Sequence, residues 1–210
     1  MAAWPLVSEH YFTADPVSAG DLRPLPVRLA GRDLRLVTSG GVFSPDRVDT
    51  GTQVLLREVP DPPASGQLLD VGCGWGALAL SMALLSPAAS VWAVDVNHRA
   101  LDLVRRNAEL AGLTTITAAT PEAVPDDVRF DAIWSNPPIR IGKQALHALL
   151  LHWLPRLAPG ARAHLVVQRH LGSDSLQRWL DEQLGRDGYQ VTRHASAKGY
   201  RVLRVTAPSA

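Results

Sequence analysis

The stretch Leu68-Leu69-Asp70-Val71-Gly72-Cys73-Gly74-Trp75-Gly76 constrains the fold more than any other part of the chain. An apolar run ending in alternating glycines reads as a buried strand that turns sharply into a helix. Glycine takes backbone conformations closed to other residues and lets a ligand lie against the main chain. The helix that follows offers unpaired N–H groups at its start. That geometry suits a nucleotide-like ligand. Gly72, Gly74 and Ala77 also satisfy the dinucleotide spacing G-x-G-x-x-A, so on the glycines alone a nicotinamide oxidoreductase stays open.

Strands and helices alternate downstream of this turn, the pattern of a parallel sheet covered on both faces. Residues 77–86 are rich in alanine and leucine and predict the first core helix, and 91–94 predict a second strand ending in Asp95. An acid about twenty residues past such a glycine turn can accept hydrogen bonds from both hydroxyls of a ribose. Asn97 is placed to cap a helix over 98–111, with Leu101, Val104 and Ala108 on one face and Arg105/Glu109 as an i,i+4 pair. Residues 114–118 and Phe130–Ser135 predict two further strands, 143–154 a helix, and 163–168 a fifth strand after a turn at Pro159-Gly160. Ser173 or Asp174 would cap a helix through Leu184, and 189–194 with 200–206 would close the sheet as an antiparallel pair. Ahead of the glycine turn, 27–30 and 34–37 flank Gly31-Arg32-Asp33 as a hairpin, Asp49 starts a capped helix, and 61–66 is the linker into the core.

Two features narrow the ligand. Asp70 stands two residues ahead of Gly72, and Ser135-Asn136-Pro137-Pro138 closes a later apolar run. Together Asp70-x-Gly72-x-Gly74-x-Gly76 and Asn136-Pro137-Pro138 resemble the class I methyltransferases that use S-adenosylmethionine and methylate amino or amide nitrogens. Tyr11-Phe12, Gly41-Val42-Phe43-Ser44 and Asp49-x-Gly51-Thr52, in that order before the glycine motif, resemble the small-domain ribosomal RNA methyltransferases that modify the guanine exocyclic amine in small-subunit RNA. The resemblance runs from about His10 to Thr206.

It implies an α/β, Rossmann-like seven-stranded class I methyltransferase sheet with a small N-terminal β-hairpin and helix extension. The extension would be residues 1–66 and the cofactor-binding core 67–210. It further implies S-adenosyl-L-methionine as cofactor, held by Asp70, Gly72, Gly74, Gly76, Asp95 and Thr120, with Asn136, Pro137 and Pro138 as the catalytic motif. Ile139, Arg140, Lys143 and Arg169 would meet the substrate, with Lys198 and Arg201 as further phosphate-binding candidates. The implied partner is ribosomal RNA or the small ribosomal subunit. The chain departs from many relatives at two points: no acid or amide follows the third strand immediately, and Ile139 stands where a phenylalanine or tyrosine is common.

Asn-Pro-Pro suits amine methylation for a physical reason. An exocyclic amine is a poor nucleophile because its lone pair is delocalised into the ring. If the Asn136 side-chain oxygen and the Pro137 carbonyl each accept one N–H, the nitrogen can pyramidalise and aim its lone pair at a methyl donor. Proline fixes φ, offers no competing donor and biases Asn136 towards an extended backbone. No strong base is needed, since the product ammonium is acidic. Methylation of a protein glutamine N5 amide or a small amine would share this chemistry, and a non-catalytic, cofactor-binding ribosome assembly factor would share the fold.

Charge favours nucleic acid among these. Beyond Asn136 the chain carries eleven basic and four acidic residues, whereas 67–135 carries four and eight. The single cysteine, Cys73, excludes an intrachain disulfide and reads as a small packing residue in the turn. No apolar run approaches a bilayer span, no export signal opens the sequence and no Cys/His spacing suits a metal, so a cytoplasmic enzyme without a metal is expected.

Overall fold

The computed structural model describes residues 21–209. Its elements are β1 (Arg23–Leu29), β2 (Arg32–Thr38), α1 (Thr50–Glu58), β3 (Ser65–Val71), α2 (Ala77–Leu85), β4 (Ala88–Val94), α3 (His98–Leu110) and β5 (Ile116–Ala119). β6 (Phe130–Ser135), α4 (Lys143–Trp153), β7 (Leu157–Gln168), α5 (Ser173–Leu184), β8 (Gln190–Ala197) and β9 (Tyr200–Thr206) follow. Tyr11 and Phe12 of the N-terminal pattern lie outside the described residues.

The main sheet has seven strands in the order β5-β4-β3-β6-β7-β9-β8. The first five are parallel, and β9 pairs antiparallel with both β7 and β8. Side-chain alternation along each strand feeds two layers of helices. Ile133 faces α4 and α5 with Leu69, Leu165 and Leu203, while Ala132 and Trp134 face α1, α2 and α3 with Leu68, Val166 and Val202. This is the Rossmann-like arrangement expected from the sequence.

β1 and β2 form a separate two-stranded hairpin that packs Leu25, Leu29 and Leu36 on Trp75, Leu80 and Leu103. Its turn is Ala30-Gly31, both at positive φ (47° and 77°), because Leu29 pairs with Arg32. The expected three-residue connection is therefore one residue too late. Such a two-residue turn has the twist that matches the strands. Buried Asn107 of α3 ties the hairpin down. Its Oδ1 accepts from Val37 N at 2.8 Å, and its Nδ2 donates to Val37 O and Trp75 O, each at 3.0 Å.

Several local readings shift. β7 begins at Leu157 and continues past Pro159-Gly160 through a bulge: Gly160 takes φ 72°, and the register with β6 shifts between Phe130↔Leu157 and Ala132↔Arg162. The segment after β9 extends the pairing there, with Ala207 N donating to Ala161 O and Gly160 N to Pro208 O. Gly172 in the left-handed region precedes α5, and neither Ser173 nor Asp174 caps it. In α3 the i,i+4 ion pair is Asp102–Arg106, while Arg105 donates to Ala118 O. No described helix is long and apolar enough to cross a membrane.

Candidate active site at the carboxyl edge of the sheet

β3 and β6 are neighbours, so their carboxyl ends bring the glycine turn and Asn136 together. Ser135 Oγ donates to Val71 O at 2.7 Å and pins the two ends. Pro138 lies against Gly72, where a methyl group would sit 3.5 Å from its Cδ. The recess they frame is lined by Ser44, Asp49, Asp70, Gly72, Gly74 and Asn136 among others. In open parallel sheets ligands bind at this edge.

The segment 39–44 is strapped across the glycine turn. Trp75 Nε1 donates to Ser44 O at 3.2 Å, Asn97 Nδ2 to Gly41 O at 3.0 Å and Arg99 Nη1 to Gly40 O at 3.3 Å. Phe43, 52% exposed, is thereby held at the mouth of the recess.

Two acids face the turn. Asp95 accepts from Gly74 N at 3.0 Å and Asn97 N at 2.9 Å, and burial raises its pKa against those bonds. Asp70 accepts from Ala79 N at 2.9 Å through Oδ2, while Oδ1 is buried with no partner among the described residues. Burial, with the nearby Asp95 charge adding to it, raises Asp70 to about 8. A buried carboxyl with one orphaned oxygen fits a cationic ligand group, because a positive charge would favour its ionised form. The same burial, with both acids near, pushes the Cys73 thiol up, so it remains a protonated packing group.

Asn136 is oriented from outside its own motif. Its Nδ2 donates to Asp49 Oδ2 at 2.9 Å and to Thr52 Oγ1 at 3.1 Å. A carboxylate only accepts, so the amide nitrogen must face Asp49, and Oδ1 has no hydrogen-bond partner among the described residues. Asp49 Oδ2 also accepts from Gly51 N at 2.7 Å and so caps α1. The sequence marked Asp49 as a helix cap and Thr52 as part of a pattern. Their service to Asn136 was missed, because 87 residues separate the Asp49–Asn136 pair.

The remaining expected site residues distribute unevenly. Gly76 lies outside the recess lining: it precedes α2 at φ 100°, and a methyl there would meet Val104 Cγ2 at 3.2 Å. Thr120 follows β5 and starts the 3-10 turn Pro121–Ala123, also outside the lining. Ile139 and Arg140 lie in the 3-10 turn Ile139–Ile141, with Ile139 packed against the α4 and α5 core. Lys143 is exposed at the start of α4, and Arg169 is exposed just beyond β7. Arg201, its side chain 11% exposed, pairs with Asp174 of α5 and braces the fold. Among the described residues no cluster of three His, Cys, Asp or Glu side chains could hold a metal.

The family model for the methyltransferase small domain matches residues 33–204. The uncharacterized protein YbxB of Bacillus subtilis (strain 168) is 31% identical over 201 residues, covering 94% of this chain and 98% of that protein. Ribosomal RNA small subunit methyltransferase C of Klebsiella pneumoniae is 34% identical over 157 residues, 73% of this chain. The matched part is 45% of that enzyme's length. Among solved structures, the T. thermophilus 16S rRNA N2 G1207 methyltransferase (RsmC), in complex with AdoMet and guanosine, superposes with a TM-score of 0.75 at 27% identity. That match covers 92% of this chain and 52% of the other.

Proposed function

The chain belongs to the methyltransferase small-domain family, and from that premise we propose that it transfers a methyl group from S-adenosylmethionine to the exocyclic N2 amine of a guanine in small-subunit ribosomal RNA. The observation that carries the proposal is Asn136, with both amide hydrogens bound inside the protein and Oδ1 left as an acceptor at the recess.

When bound, S-adenosylmethionine supplies a methyl group on a positively charged sulfur. The chain's own residues do the rest by placement. Asp95 and the Gly72–Gly74 backbone form the nucleoside side of the site, and the orphaned Asp70 oxygen accepts from a cationic amino group. Asn136 Oδ1 and Pro137 O each accept one N–H of the target amine, which localises its lone pair. The oxygen dipoles are set before the substrate arrives, so little reorganisation is left for the reaction itself. The methylated nitrogen then releases its proton to solvent. RNA as the acceptor is supported by Lys143, Arg169 and Lys198, exposed at segments next to the carboxyl edge where Asn136 sits. A guanine within a helix would have to be flipped out.

Equilibrium titration with S-adenosylhomocysteine and NAD, alongside transfer of labelled methyl to small ribosomal subunits and to total protein, tests the reading. Selective S-adenosylhomocysteine binding with label in RNA supports it. Preferential NAD binding, or label confined to protein, refutes it.

A further inference from the structure

The amine acceptor at Asn136 needs a surface on which a flat base can rest, and Ile139, first in the turn after the prolines, offers an aliphatic side chain with no aromatic face. Ile139 packs against the α4 and α5 core. A different residue occupies a suitable place. Tyr200 opens β9 opposite Gln168, the last residue of β7, and so lies at the edge where β6 delivers Asn136.

The ring reaches the Asn136 anchor directly. A methyl group on Gly51 would sit 2.9 Å from Tyr200 Cε1, 3.2 Å from Tyr200 Cδ1 and 2.9 Å from Asp49 Oδ2. Only glycine lets the ring come this near the first turn of α1, although glycine costs a helix about 1 kcal/mol relative to alanine. The crowded carboxylate is the one that holds Asn136 Nδ2 at 2.9 Å. Ring, carboxylate and amide are thus consecutive neighbours. Tyr200 is half-buried, and its hydroxyl has no hydrogen-bond partner among the described residues. Burial and the Asp49 charge push the phenol pKa up, so the group stays neutral and can donate.

Beside the ring, the turn between β8 and β9 carries Lys198 at φ 48°, and Arg169 N donates to Gly199 O at 2.8 Å. The Lys198 and Arg169 side chains are exposed and form no ion pair among the described residues. We propose that Tyr200 is the platform on which the target nucleobase rests, with Arg169 and Lys198 holding the phosphates of the same nucleotide strand. This rests on the nucleic-acid reading above and sharpens it. A flat heteroaromatic acceptor gains from the ring, whereas a glutamine side-chain amide has no comparable face to offer.

Steady-state kinetics on small ribosomal subunits, with wild type, Tyr200→Phe and Tyr200→Leu, test the assignment. Base–aromatic stacking predicts a rise in KM of roughly 5- to 150-fold for Tyr200→Leu. Tyr200→Phe should stay near wild type, and S-adenosylhomocysteine affinity should not move in either variant; Tyr200→Leu should lower Tm through the packing lost against Gly51, which leaves KM as the deciding readout. As a second measurement on wild type, RNA carrying 6-thioguanine at the modified position should photocrosslink to Tyr200 or its neighbours in the β8–β9 turn. A Tyr200→Leu enzyme with wild-type KM, or a crosslink confined to other elements, overturns the platform while leaving the RNA reading intact. A wild-type enzyme that puts no methyl on RNA overturns both.

Discussion

Asp49 bonds Gly51 N and Asn136 Nδ2 through one oxygen, and these two duties separate by substitution. Serine is a good helix cap and keeps the bond to Gly51 N, but its shorter side chain withdraws the oxygen from Asn136. Asparagine at position 49 can place a neutral oxygen where Oδ2 now lies and keep both bonds. Alanine loses both. A hydrogen bond to a charged group is worth about 1.5–3 kcal/mol. If the amide orientation depends on that bond, Asp49→Ser should lower kcat by roughly 10- to 150-fold. Its Tm and S-adenosylhomocysteine Kd should stay near wild type. Asp49→Asn should remain within several-fold of wild type, and Asp49→Ala should lose activity together with about 1 kcal/mol of stability. Methyl-transfer kinetics with thermal melts of all three variants read this out. An Asp49→Ser enzyme with full kcat would refute the idea that Asp49 positions Asn136.

Asp70 links stability to pH. Its native pKa is raised to about 8 from 3.8, so through that window the unfolded chain ionises while the folded state holds its proton, and stability falls as pH rises. The slope is at most ~1.4 kcal/mol per pH unit. Asp70→Asn should flatten the dependence of Tm on pH and raise Tm near pH 8, while weakening S-adenosylhomocysteine binding; an unchanged Tm–pH profile would contradict the buried-acid account. Wild type should also release a proton on binding S-adenosylhomocysteine at neutral pH, read by calorimetry in buffers of differing ionisation enthalpy. Gly66 has φ 104°, and a methyl there would fall 2.2 Å from Asp131 Oδ2, which accepts from Gln67 N at 2.7 Å. Gly66→Ala should therefore cost about 2–4 kcal/mol, seen as a Tm drop of roughly 5–15 °C; a drop under about 2 °C would refute the strain.

What the sequence displayed and what it concealed divide along contact range. Leu68–Gly76 and Phe130-Ser135-Asn136 could be placed on strand ends because apolar runs and glycine or proline breaks are local signals. The Asp49 cap of α1 and the Asn97 cap of α3 were legible for the same reason. Asp49 as the anchor of Asn136 was not, since it depends on how α1 docks on the finished sheet. Ile139 differs again: its place after the prolines gave no sign that, half-buried, it also packs against the core shared with α4 and α5. Arg201 looked like a free cation until α5 brought Asp174 to it. The length of β7 was hidden because Pro159-Gly160 reads as a turn locally; the strand bulges there and continues beyond it, with residues 207–208 pairing to it.

Small ribosomal subunits from a strain lacking this protein, incubated with labelled S-adenosylmethionine and either wild type or Asn136→Ala and then digested to nucleosides for mass analysis, test the central claim most directly. Wild type should yield N2-methylguanosine. Asn136→Ala should yield almost none while binding S-adenosylhomocysteine as tightly as wild type. Label at another atom, label in protein, or an Asn136→Ala enzyme that still methylates guanine would contradict the account.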